Sequence, residues 1–166
     1  IRTAKLDLPM NKVLIVDDEK LMRISLESQL KKEGYQVRSV DNAIEGLKRV
    51  KSEDYDVVVT DLRLSGMNGM ELLKEIKKYN QEIIVVIMTA YGTLESAVSA
   101  IKDGAYDYIA KPFSTDELII KLQRALHHKD TAAEVNRLRG EIQAEFEFCN
   151  IVGNSDSMKK VIEIVK

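Results

Sequence analysis

Short apolar runs and helix-spaced segments alternate along this chain. Val13-Leu14-Ile15-Val16 is the first run, and its unbroken apolar character predicts a strand buried on both faces. Residues 19–33 then carry Leu21, Ile24, Leu26 and Leu30 at helical spacing, with Gly34 as a C-cap. Residues 35–40 alternate apolar and polar as a short strand does. Asn42 N-caps a helix running to about residue 51, with Ala43, Leu47 and Val50 inward. Val57-Val58-Val59-Thr60 is a second buried strand and ends at Asp61. Residues 69–78 form a helix presenting Leu72, Leu73 and Ile76. The most apolar run, Ile83 to Met88, ends at Thr89. A helix from Thr93 to about residue 101 carries Leu94, Ala97, Val98 and Ile101, and Gly104 ends it. Tyr108 to Ala110 is a short strand followed by Lys111-Pro112. Ser114 or Thr115 caps a final helix with Leu118, Leu122 and Ala125.

Strict alternation of five strands with five helices predicts a parallel sheet covered on both faces and joined by right-handed crossovers. The expected architecture is an α/β, flavodoxin-like three-layer fold with strand order 2-1-3-4-5. The strands ending at Asp17/Asp18 and at Asp61 would lie at its centre.

The pattern changes after Ala125. Residues 127–145 are polar and helix-favouring, and Val135, Leu138 and Ile142 recur at three-four spacing. They suit a coiled-coil seam that would dimerise a linker helix, ahead of a solvated extension of the last helix. The seam covers barely one heptad, and Gly140 weakens it by ~1 kcal/mol relative to alanine. From Phe146 the chain turns apolar again, as if a further domain began. The expected division is residues 1–9 as a tag or vector remnant preceding Met10, 10–128 as the main domain, 129–148 as a helical dimerisation linker and 149–166 as the start of another domain.

Composition narrows the class. Of 166 residues 45% are apolar and 31% charged, with a net charge of -2, so nothing pulls the chain as a whole toward nucleic acid or an acidic membrane. A single cysteine, Cys149, rules out an intramolecular disulfide and suits a reducing, cytoplasmic setting. No signal-peptide pattern is visible, and no apolar run is long enough to span a bilayer.

The candidate chemistry gathers at one edge. Four strand ends deliver Asp17 and Asp18, Asp61, Thr89 and Lys111 to the side where open α/β sheets bind ligands. Clustered carboxylates repel one another and call for a cation. Mg²⁺ prefers oxygen ligands and is commonly held by one or two carboxylates with waters and a phosphate. Lys111 adds a positive point charge and Thr89 a hydroxyl. Such a set suits phosphoryl transfer, in which charge on three oxygens must be neutralised. Taken singly, each residue has an ordinary reading. Asp17 and Asp18 could be loop or N-cap residues, Asp61 an Asx-turn residue before Gly66, Thr89 a strand end, Lys111 a surface charge and Tyr108 a half-buried aromatic. Their joint placement at successive strand ends favours one shared site. The Lys111-Pro112 bond can be cis, which would bear on where the lysine points.

Asp17-Asp18-Glu19, Asp61-Leu62-Arg63-Leu64 before Gly66-Met67-Asn68-Gly69, Thr89-Ala90, Gly104-Ala105-Tyr106-Asp107-Tyr108 and Lys111-Pro112-Phe113 resemble response-regulator receiver domains of the CheY-like fold. The resemblance covers about residues 11–128. It implies that Asp61 is the phosphoacceptor for a sensor histidine kinase. It also implies that Asp18, Asp61 and the main-chain carbonyl of Arg63 bind Mg²⁺, with Asp17 supporting through water. Lys111 would bridge to the phosphoryl oxygens, and Thr89 and Tyr108 would move on phosphorylation. Ser65 stands where the family often has proline, which removes a fixed φ from the loop. The stretch from Phe148 to Val161 resembles the opening of the AAA+ ATPase domain of NtrC-type, sigma-54-dependent transcriptional activators. That likeness implies a receiver controlling a downstream ATPase of the same polypeptide. The chain carries no P-loop motif, so no ATPase activity of its own is expected, and contact with DNA or sigma-54 RNA polymerase would run through other parts.

Two other classes compete with a phosphorylation-switched homodimer. A hydrolase using Asp61 as nucleophile would need a further general acid, and His127 and His128 lie in the linker. A phosphorylation-independent dimerisation module would leave the acidic set without a role.

Overall fold

The computed structural model describes residues 11–90 and 94–153, with side chains for 11–90 and 95–143. The segment 1–9, Met10, Thr93 and residues 154–166 lie outside it, as does the Cys149 side chain. The elements are β1 (Lys12–Val16), α1 (Lys20–Lys32), β2 (Gln36–Val40), α2 (Ala43–Ser52), β3 (Val57–Asp61), α3 (Gly69–Tyr79), β4 (Ile84–Thr89), α4 (Leu94–Lys102), β5 (Asp107–Ala110) and α5 (Thr115–Gly153). The strands form one parallel sheet in the order β2-β1-β3-β4-β5, the flavodoxin-like order expected.

Side chains alternate across the sheet and divide the core in two. Val13, Ile15, Val57, Val59, Val86 and Met88 pack with Leu26 and Leu30 of α1 and Leu118 and Leu122 of α5. Leu14, Val16, Val58, Val85 and Ile87 face Ala43 and Val50 of α2, Leu72, Leu73 and Ile76 of α3, and Ala100 of α4. A strand with helices on both faces has no solvated side, which is why its sequence shows continuous apolar runs.

Two helices lie differently from the pattern expected. In α1, Leu21 is 75% exposed and Ile24 55% exposed, and the inward row is Met22, Leu26 and Leu30. In α4, whose Leu94 side chain lies outside the described residues, Val98 and Ile101 face outward and Ala100 is buried.

The caps follow local chemistry. Asn42 Oδ1 accepts from the Glu45 N–H at 2.8 Å. Of the two candidate caps for α5, Ser114 is the one used, its Oγ accepting from the Glu117 N–H at 3.1 Å. The described residues form two compact units that divide between Leu126 and His127. Within the second, residues 127–153 are helical, and the Val135, Leu138 and Ile142 side chains are exposed. Among the described residues no helix is long and apolar enough to cross a membrane.

Candidate functional site

Strand register assembles the site. Val16 pairs with Thr60, so the next residues, Asp17 and Asp61, leave the two central strands side by side. Thr89 pairs with Ala110, so Lys111 emerges next to them from the edge strand. The Lys111 N–H donates to the Thr89 carbonyl at 2.7 Å, continuing the ladder one residue past β5. The Lys111–Pro112 peptide is cis.

The Lys111 ammonium donates to Asp17 Oδ2 at 2.7 Å and to Asp61 Oδ2 at 2.6 Å. Asp17 is fully buried and the Lys111 side chain is only 12% exposed. Burial pulls the Lys111 pKa down, but hydrogen bonds and charge from Asp17 and Asp61 outweigh it and leave the pKa raised. The amine is therefore charged at neutral pH. Two carboxylates share this one cation, so the trio stays net negative and attracts further positive charge.

The other carboxylate oxygens are held by the main chain. Asp17 Oδ1 accepts from the Glu19 N–H at 2.7 Å, and Asp61 Oδ1 from the Arg63 N–H at 3.0 Å. Each is an Asx-turn contact two residues on, the ordinary reading of such a carboxylate. The loop after Asp61 depends on two glycines. Gly66 has φ of 81°, a region that L side chains rarely adopt. At Gly69 a Cβ would stand 2.2 Å from the Asp61 carbonyl oxygen, so only glycine lets α3 begin that close to the acid.

Not every expected residue joins the trio. Thr89 is buried at its strand end. Asp18 is exposed at the mouth, and the three carboxylates do not form one tight cluster. Among the described residues no three His, Cys, Asp or Glu side chains are grouped closely enough to hold a metal by themselves. Mg²⁺ does not require that, since one or two carboxylates with waters and a phosphate are its usual setting. The all-oxygen donors here suit it. Tyr108 lies along β5 in a groove of about 420 Å³ shared with Ala97, Val98, Ile101, Lys102 and Asp107. Its hydroxyl is buried with no hydrogen-bond partner among the described residues.

One contact had no signal in the sequence. Arg23 Nη1 of α1 donates to the Asp17 carbonyl at 2.6 Å. An arginine one turn into a helix looks like an ordinary solvated charge until the fold brings it back over the strand end.

Comparison with known proteins agrees with this fold. Residues 13–123 match the family model described as response regulator receiver domain. The DNA-binding transcriptional regulator NtrC of Proteus hauseri is 35% identical over 153 residues, covering 92% of this chain and 32% of that protein. The chain thus spans about a third of the length of such relatives. A receiver domain protein from Clostridium thermocellum superposes with TM-score 0.71 at 32% identity, covering 74% of this chain and 99% of that one. The beryllofluoride-activated NtrC4 receiver domain dimer gives TM-score 0.70 at 32% identity, covering 72% of this chain and 99% of that one. With the strand order, the acidic edge and the family match in agreement, the chain belongs to the response regulator receiver domain family.

Proposed function

We propose that Asp61 is the residue phosphorylated in this receiver, with a sensor histidine kinase as the phosphoryl donor. The observation that carries the reading is the Lys111 ammonium bonded to both Asp17 and Asp61 at the carboxyl edge of the sheet. An Asp61 carboxylate oxygen attacks phosphorus, a new P–O bond forms, and the bond to the donor breaks with its electron pair leaving on the donor. Lys111 is placed to neutralise the added charge, and the Arg63 N–H keeps the carboxylate oriented. Asp17, Asp18, Asp61 and the Arg63 main-chain carbonyl are the donors that would hold Mg²⁺, which supplies charge neutralisation on the phosphoryl oxygens.

The response would pass to the α4–β5 face. An aspartyl phosphate adds negative charge and three acceptor oxygens, toward which the Thr89 hydroxyl can turn. Tyr108 is suited to answer, because a buried hydroxyl without a partner costs about 1–3 kcal/mol and favours a second rotamer in which it is bonded. The role is regulatory. The apolar row Val135, Leu138 and Ile142 supports a homodimer through the linker helix, and the NtrC-type relatives support a downstream AAA+ transcription-activator domain as the target.

Borohydride trapping tests the assignment. Reduction of an aspartyl phosphate yields homoserine, so treatment with a small acyl phosphate and Mg²⁺, then borohydride, is expected to convert position 61. Conversion at Asp17 or Asp18 instead, or at no residue, would overturn it.

A further inference from the structure

Asp17 is bonded through every polar group it carries. Its N–H donates to the Val40 carbonyl at 3.2 Å. Oδ1 accepts from the Glu19 N–H and Oδ2 from Lys111 Nζ. Its carbonyl accepts from Arg23 Nη1 at 2.6 Å. That carbonyl belongs to the peptide joining Asp17 to Asp18. A peptide is planar, so holding its oxygen sets the plane and the direction in which Asp18 leaves the strand. Glu19, the N-cap of α1, makes no side-chain cap, so the side-chain tether from α1 to this peptide is the Arg23 guanidinium. A charged donor makes it a strong one.

We infer that Arg23 is a positioning residue for the cation site, holding the Asp17–Asp18 peptide so that the exposed Asp18 carboxylate stands where it can share a cation with Asp61. This rests on the Mg²⁺ site proposed above. Two alternatives predict different results. If Arg23 mattered only through its charge, removing it would make the site more negative and tighten Mg²⁺. If it mattered only for stability, unfolding would shift and Mg²⁺ affinity would not. Positioning alone predicts that losing a cation weakens the binding of a cation.

The test is a titration of the whole chain with Mg²⁺ alone, followed by the amide NMR shifts of residues 17, 18 and 61. Arg23→Met keeps the aliphatic stem and removes the donor, and it is expected to weaken Mg²⁺ about tenfold, the lower end for loss of a group that orients a metal ligand. Arg23→Lys keeps a charged donor and is expected to stay within about threefold of the parent. Unchanged or tighter Mg²⁺ binding by a folded Arg23→Met chain would overturn the inference. If that variant loses its folded spectrum, Arg23→Gln, whose amide is too short for the bond, is judged by the same criterion. A parent that binds no Mg²⁺ would overturn the metal site itself and the inference with it, which separates that failure from one specific to Arg23.

Discussion

Lys111 ties the site together, because its ammonium is the cation between two carboxylates that would otherwise repel. Removing one partner of a buried ionic cluster leaves uncompensated charge, so Lys111→Met is expected to lower stability by about 3 kcal/mol in urea unfolding at neutral pH. The pKa direction adds a second signature. A lysine whose pKa is raised by folding gives stability that is fully present below the unfolded value and is lost as pH rises through the higher folded one. The parent should therefore lose stability above about pH 10.5. Burial also raises the Tyr35 and Tyr55 hydroxyls, so the difference between parent and Lys111→Met isolates the lysine part. A variant as stable as the parent, with the same alkaline decline, would contradict this role. Most of these residues were legible in the sequence because strand ends mark them. Arg23 was not, since its partner is a main-chain carbonyl and no side-chain pattern announces it.

At the scale of elements, α3 shows how local chemistry frames the acid. Asn68 Oδ1 accepts from the N–H groups of Met70 and Glu71, both at 2.9 Å, and Glu71 Oε2 accepts in return from the Asn68 N–H at 2.9 Å. This capping box starts α3 at Gly69, against the Asp61 carbonyl. Asn68→Ala is expected to cost about 1 kcal/mol in urea unfolding while leaving the Asp61 site able to react, because the hydrogen bonds of Asn68 run to Met70 and Glu71. A loss of reactivity larger than the loss of stability would show that the cap also positions the acid. Helix faces were less legible than helix positions. Leu21 and Ile24 fit a helical period but not the inward row, and in α4 the residue that buries is Ala100 rather than Val98 or Ile101. Periodicity says that a stripe exists, whereas the fit against the sheet decides which stripe is buried.

For the whole molecule, the parallel order β2-β1-β3-β4-β5 was readable because five short strands, three of them buried apolar runs, alternating with helices leave few allowed topologies. The same order puts the two central strands beside each other and so gathers Asp17 and Asp61. What the topology does not give is side-chain reach, which is why Asp18 was expected inside the cluster and stands exposed. The central claim is that this assembly exists to carry one phosphoryl group on Asp61. Its most direct test is intact mass after incubation with Mg²⁺ and a small acyl phosphate, beside an Asp61→Asn control and a sample without Mg²⁺. The account predicts a gain of one phosphoryl mass per parent chain, absent from both controls. No gain in the parent, or an equal gain in Asp61→Asn, would contradict it.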